Sequence, residues 1–167
     1  MARPSDVEGG IGMIGARNAG QGAGGLNVNI ERLRTLATSL RGNLQKIRRY
    51  ADLPEDEFWQ DERNIMAVKL LLIQAIEDAA SICAHLLARL GGQAATGYPD
   101  CFEKLQQLGV VEAELSKRLT LMARFRNLLV HRYWEVDDQR VLQFARHDVA
   151  DLEDFLRAVG EFLNAQL

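Results

Sequence analysis

From Asn29 onward, apolar residues recur at spacings of three and four, and the alternation of a half-buried strand is absent throughout. Ile30, Leu33, Ala37, Leu40, Leu44, Ile47 and Ala51 form one stripe ending at Asp52-Leu53-Pro54, which predicts a first helix. A second helix is expected from near Glu57, after the acidic PEDE that suits the positive end of a helix dipole. Ile65, Leu72, Ile76, Ala79, Cys83, Leu86 and Leu90 carry it to Gly91-Gly92. A shorter helix is expected from Pro99 to about Leu108, with Pro at its start and Gly109 after its end. The fourth starts near Val111 and runs through FRNLLVHRY (residues 125–133) to a break near Val136-Asp137-Asp138. A helical turn around Arg140 to Ala145 follows, and Val149, Leu152, Phe155, Leu156, Val159 and Phe162 mark the last helix. The expected architecture is all-α, an antiparallel four-helix bundle with an additional short helix.

Residues 1–28 follow a different rule. They hold more than half of the chain's fourteen glycines and no sustained periodicity, so they are expected to be a flexible tail ahead of one domain over 29–167. Gly10 to Gly15 spells GxGxxG, but the residues before it cannot supply the strand that a dinucleotide site requires. Composition excludes some classes. A net charge of −3 rules out a globally basic nucleic-acid binder and leaves room only for a concentrated cationic patch. Cys83 and Cys101 form no CxxC; Cys83 reads as a buried free thiol, which points to a reducing cytoplasm. No stretch is expected to reach the ~20 apolar residues of a membrane span, and no signal-peptide pattern opens the chain.

The concentrated patch lies on the fourth helix. Lys117, Arg118, Arg124, Arg126, His131 and Arg132 place six cationic or potentially cationic positions within sixteen residues of an acidic chain. On a helical wheel Leu119, Met122, Arg126, Leu129, Val130 and Tyr133 share one face, and Thr120, Arg124, Asn127 and His131 another. Arg126 and His131 then lie about 140° apart. A guanidinium in an apolar stripe needs an acidic partner, an interface or a polyanion, because an unpaired buried charge costs several kcal/mol. Glu77 and Asp78, amid the apolar run of helix two, are candidates for that partner, as are Glu112, Glu114 and Glu135. Read singly, each polar residue fits a cap or an ion pair, and Tyr133 fits an amphipathic anchor on the Met122, Arg126 and Leu129 face. His85 precedes a helix end, where an imidazolium gains from the dipole, and His147 lies near the start of the last helix. Trp59 and Trp134 read as core or interface aromatics.

Arg126 to His131 followed by Arg132 and Tyr133 resembles the Arg-x4-His-x-Tyr motif of the HepT toxins, a branch of the HEPN superfamily. LLIQAIEDAASICAHLLARLG from Leu71, YPDCFEKLQQLGVVEAELSKRL from Tyr98 and EVDDQRVLQF from Glu135 extend the resemblance from about residue 29 to the C-terminus. It implies a cytoplasmic, homodimeric toxin of a type VII-like toxin–antitoxin system. The implied activity is an endoribonuclease that cuts RNA through its own 2′-hydroxyl, with neither metal nor cofactor. His131 would exchange the proton and Arg126 would stabilise the phosphorane. Asn127 would orient the phosphate or the imidazole, and Arg124 and Arg132 would bind or orient the phosphate. Tyr133 would be AMPylated by an MntA-like nucleotidyltransferase antitoxin that uses ATP, placing charge and bulk beside the site. The alternative is a non-catalytic HEPN dimer that binds nucleotide or RNA, or docks a partner. No HExxH, paired Cys or Asp cluster of ligand spacing suggests a metal.

Overall fold

The computed structural model describes residues 27–166 except Gly92; the Gly-rich tail to residue 26 and the GxGxxG match lie outside them. Every regular element among the described residues is helical: α1 Ile30–Ala51, α2 Glu55–Gln60, α3 Glu62–Arg89, α4 Tyr98–Gln107 and α5 Ala113–His131. A 3₁₀ turn Tyr133–Glu135, α6 Asp138–Gln143, a π-helical segment Phe144–Asp148 and α7 Ala150–Ala165 complete the chain. The expected second helix is interrupted. Asp61 is extended (φ −124°, ψ 108°) and its carboxylate accepts the Arg63 backbone N–H at 3.0 Å, so it caps α3 and separates α2 from it. Asn29 and Asp137 cap α1 and α6 in the same way. Gly91 and Gly109 take φ of 73° just beyond α3 and α4, the left-handed turn that ends a helix without a Cβ penalty.

Side-chain contacts give the directions of the helices. Asn29 meets His85 while Asn43 meets Asp78, so α1 runs antiparallel to α3. Ser116 bonds the Phe102 carbonyl and Thr120 the Pro99 carbonyl, so α5 runs antiparallel to α4. Helix α3 is central, with Leu72, Ile76, Ile82 and Leu86 fully buried against Leu40 and Ile47 of α1, Phe102 of α4, Leu119 of α5 and Phe155 of α7. It is long and apolar enough by composition to cross a membrane, contrary to the sequence expectation, but half of its most apolar window is buried inside the bundle. Arg146 reaches back to the carbonyls of Ala51 and Leu53 and ties the π-helical segment to the end of α1.

Two sequence expectations fail here. Cys83 and Cys101 are joined in a disulfide between α3 and α4, Cα–Cα 6.2 Å, so neither is a free thiol. The pairing arises when α4 folds onto α3; a separation of 18 residues carries no motif that announces it. The inference of a reducing compartment from unpaired thiols loses its basis. His85 does not gain from a charged imidazole either. Its Nε2 accepts the Asn29 backbone N–H at 3.1 Å, and burial, with Arg89 and Arg32 nearby, holds its pKa below the ordinary value of 6.5. The stabilisation from this neutral contact is therefore present above the unfolded-state pKa and is lost as pH falls through the lower folded one. Acidification below 6.5 is expected to speed hydrogen exchange severalfold in the first turn of α1, relative to the centre of α3. His85→Leu should remove that pH step, and a step that survives the substitution would assign it to another group.

Candidate functional site

Helix α5 is a regular α-helix to His131, with Arg132 as its C-cap, so the predicted 140° between Arg126 and His131 holds. Arg126 turns inward, its side chain only 14% exposed. Nη2 donates to Glu77 Oε1 of α3 in a short ion pair, and Nη1 donates to Asn127 Oδ1 at 3.2 Å. The ring of Tyr98, at the start of α4, lies 4.8 Å from the guanidinium carbon. Nε is buried and has no hydrogen-bond partner among the described residues. Of the candidate carboxylates, Glu77 is thus the one that neutralises Arg126. Its neighbour Asp78 accepts from Asn43 of α1 at 3.1 Å, and an open groove of about 350 Å³ between α1 and α3 runs beside both.

The first turn of α4 is held by Asp100, which accepts the Thr96 backbone N–H at 2.8 Å and the Lys104 ammonium at 2.7 Å. The Lys104 and Thr96 hydrogen bonds keep its carboxyl below the usual carboxylate range. These contacts position Tyr98, and one turn further on the Cys83–Cys101 bond joins α4 to α3.

The remaining site residues are more dispersed. His131 is exposed at the end of α5 with no hydrogen-bond partner among the described residues, and Arg124 is exposed without an ion pair among them. Arg132 donates to Glu135 at 2.9 and 2.6 Å, Arg118 to Asp151 at 2.8 Å, and Lys117 to Glu114 at 2.7 Å. Four of the six positions in the cationic patch are therefore paired inside one chain, which leaves Arg124 and His131 to face solvent. Tyr133 does not continue the Met122 and Leu129 face. The helix has ended, and Tyr133 stands in the 3₁₀ turn, 64% exposed and edge-on to Trp134 at 5.3 Å. Trp134 is exposed rather than core, whereas Trp59 is half-buried beside Phe58. Among the described residues no group of three or more His, Cys, Asp or Glu side chains is arranged to hold a metal ion. Tyr98 was missed by sequence reasoning: nothing in TGYP distinguishes a ring over a guanidinium from an ordinary helix-start aromatic.

Comparison with known proteins converges on one group. Residues 40–159 match the family model described as "Ribonuclease HepT-like". A protein of Archaeoglobus fulgidus described as a "Putative RNase" is 37% identical over 92 residues, 55% of this chain and 69% of the relative. The tri-AMPylated Shewanella oneidensis HEPN toxin in complex with MNT antitoxin superposes with a TM-score of 0.66 at 25% identity, over 79% of this chain and 96% of that one. A toxin–antitoxin crystal structure with AMP-PNP gives 0.73 at 21% identity over 78% and 98%. YutE from Bacillus subtilis, described as a cytosolic protein of unknown function, gives 0.72 at 18% identity over 84% and 94%.

Proposed function

Because this chain belongs to the ribonuclease HepT-like family, we propose that it is the endoribonuclease toxin of a type VII-like toxin–antitoxin pair, acting in the cytoplasm without a metal. The 2′-hydroxyl of the substrate attacks the adjacent phosphorus and loses its proton, and the 5′-oxygen leaves as it gains one. His131 exchanges these protons, and its exposed imidazole, without a hydrogen-bond partner among the described residues, suits the task. Arg126 stabilises the charge that accumulates on the phosphorane. Asn127 holds the guanidinium rather than the imidazole. Arg124 is the cation best placed to track a neighbouring phosphate, with Arg132 available once it exchanges Glu135 for one.

The observation that carries the reading is the state of Arg126, a largely buried guanidinium gripped by Glu77 and Asn127, on the same helix as an exposed histidine with no hydrogen-bond partner among the described residues. A homodimer belongs to it. Exposed Met66 and Leu70 share the α3 face with Ile73 and Glu77, and burying that face against a second copy would bring two Arg126 and His131 sets into one cleft. The partner is an MntA-like nucleotidyltransferase antitoxin. The Tyr133 hydroxyl, at an exposed ring, attacks the α-phosphorus of ATP; pyrophosphate leaves and the phenol proton is released. The adenylate then repels RNA beside Arg126 and His131.

Purified protein is expected to cut RNA in the presence of a chelator, leaving 2′,3′-cyclic phosphate and 5′-hydroxyl ends. Co-expression with the antitoxin should add mass in steps of one AMP at Tyr133 and abolish cutting. RNA that stays intact, or cleavage that the chelator stops, would overturn the mechanism. RNA binding without cleavage would favour the non-catalytic module, for which the internal pairing of four of the six cations speaks.

A further inference from the structure

We infer that Glu77 and Tyr98 are positioning residues for Arg126, which set its fork of N–H groups toward the scissile phosphate; this rests on the ribonuclease reading above. The argument is a count of donors. A guanidinium carries five N–H groups. One on Nη2 goes to Glu77 and one on Nη1 to Asn127, while Nε–H is buried. One N–H remains on each terminal nitrogen. Two parallel donors are what a phosphate accepts from an arginine.

The surroundings restrict how that fork can turn. Glu77 comes from the middle of α3 and Tyr98 from the first turn of α4, so the guanidinium is gripped by one helix at its edge and by another across its face. The disulfide between the same helices keeps the two grips in register. A long, flexible side chain is thereby held in one geometry before substrate arrives, and the ordering cost is met during folding rather than in the transition state. Glu77 also lowers the net charge that Arg126 presents to an intact phosphodiester. Ground-state binding is weakened slightly, while the two N–H groups left over remain for the doubly charged phosphorane.

This separates kcat from KM. Glu77→Ala is expected to lower kcat about 10- to 100-fold with KM unchanged or reduced, because the cation is freed but misaimed. Glu77→Gln keeps an acceptor oxygen at the same reach and should recover most of kcat. Tyr98→Phe should behave as wild type, and Tyr98→Leu should lose about 3- to 10-fold in kcat, since the contact is with the ring face. Binding of a 2′-O-methyl RNA, which cannot be cut, should change less than threefold in all four variants. Melting temperatures measured alongside show whether a loss of rate is a loss of folded protein. Wild-type cleavage with Glu77→Ala at full kcat would overturn the positioning role alone, as would a rise in kcat/KM, which would make Glu77 a restraint. Wild-type protein that binds RNA but does not cut it would overturn the ribonuclease reading together with this one.

Discussion

His131→Ala should lower RNA cleavage by about 10²- to 10⁴-fold, the range a positioned proton-transfer group supplies, while leaving the melting temperature where it is. The two halves of this expectation have one cause. His131 is exposed at the last turn of α5 and has no partner among the described residues, so its removal empties no core position and orphans no buried group. Arg126→Ala is expected to lose comparable activity, about 10²- to 10³-fold, but to cost stability as well. It leaves Glu77 without its cation and takes the packed guanidinium from under Tyr98. Single-turnover cleavage of one RNA and thermal melts of the same preparations distinguish the cases. A His131→Ala protein that melts normally and cuts at the wild-type rate would remove the imidazole from the chemistry.

Phe155→Ala is expected to cost about 3–5 kcal/mol. Phe155 is fully buried on α7, and its ring meets that of Phe102 on α4 edge-to-face at 5.6 Å, so the substitution removes a large side chain and an aromatic pair together. The site cannot collapse easily. Phe102 is adjacent to Cys101, whose bond to Cys83 fixes that part of α4 against α3. At roughly 2–4 °C per kcal/mol for a domain of this size, the melting temperature should fall by about 6–20 °C. Phe155→Leu, which keeps most of the volume, should recover more than half of the loss. A shift of under 2 °C for the alanine variant would mean that α7 contributes little to the cooperative unit.

The Arg126 cage and the Phe102–Phe155 pair share an architecture. Both depend on α4, a ten-residue helix with little surface of its own, being clamped onto α3 and α5. Its placement decides whether a ring covers the guanidinium and whether the core closes behind it.

The apolar spacing along the chain determined that this is a helical bundle, because a stripe at three and four residues can be buried only by a helix. Prolines and glycines announced several boundaries: Pro54 after α1, Gly91 after α3, Pro99 at the start of α4 and Gly109 after it. The Arg-x4-His-x-Tyr order likewise declared its own family, and the local geometry of α5 kept Arg126 and His131 on different faces, as their spacing dictates. The break at Asp61 was hidden because an aspartate reads equally as a helix residue and as a cap until the backbone chooses. What tertiary structure alone decided is which distant groups meet. Glu77 stands 49 residues from Arg126, and only the crossing of α3 and α5 selects it over the nearer Glu135, which takes Arg132. The same crossings joined Cys83 to Cys101, set Tyr98 over the guanidinium and left Tyr133 in solvent past the helix end. The physical reason is that periodicity encodes which face of a helix is buried, whereas the partner across that face follows from how several helices pack at once.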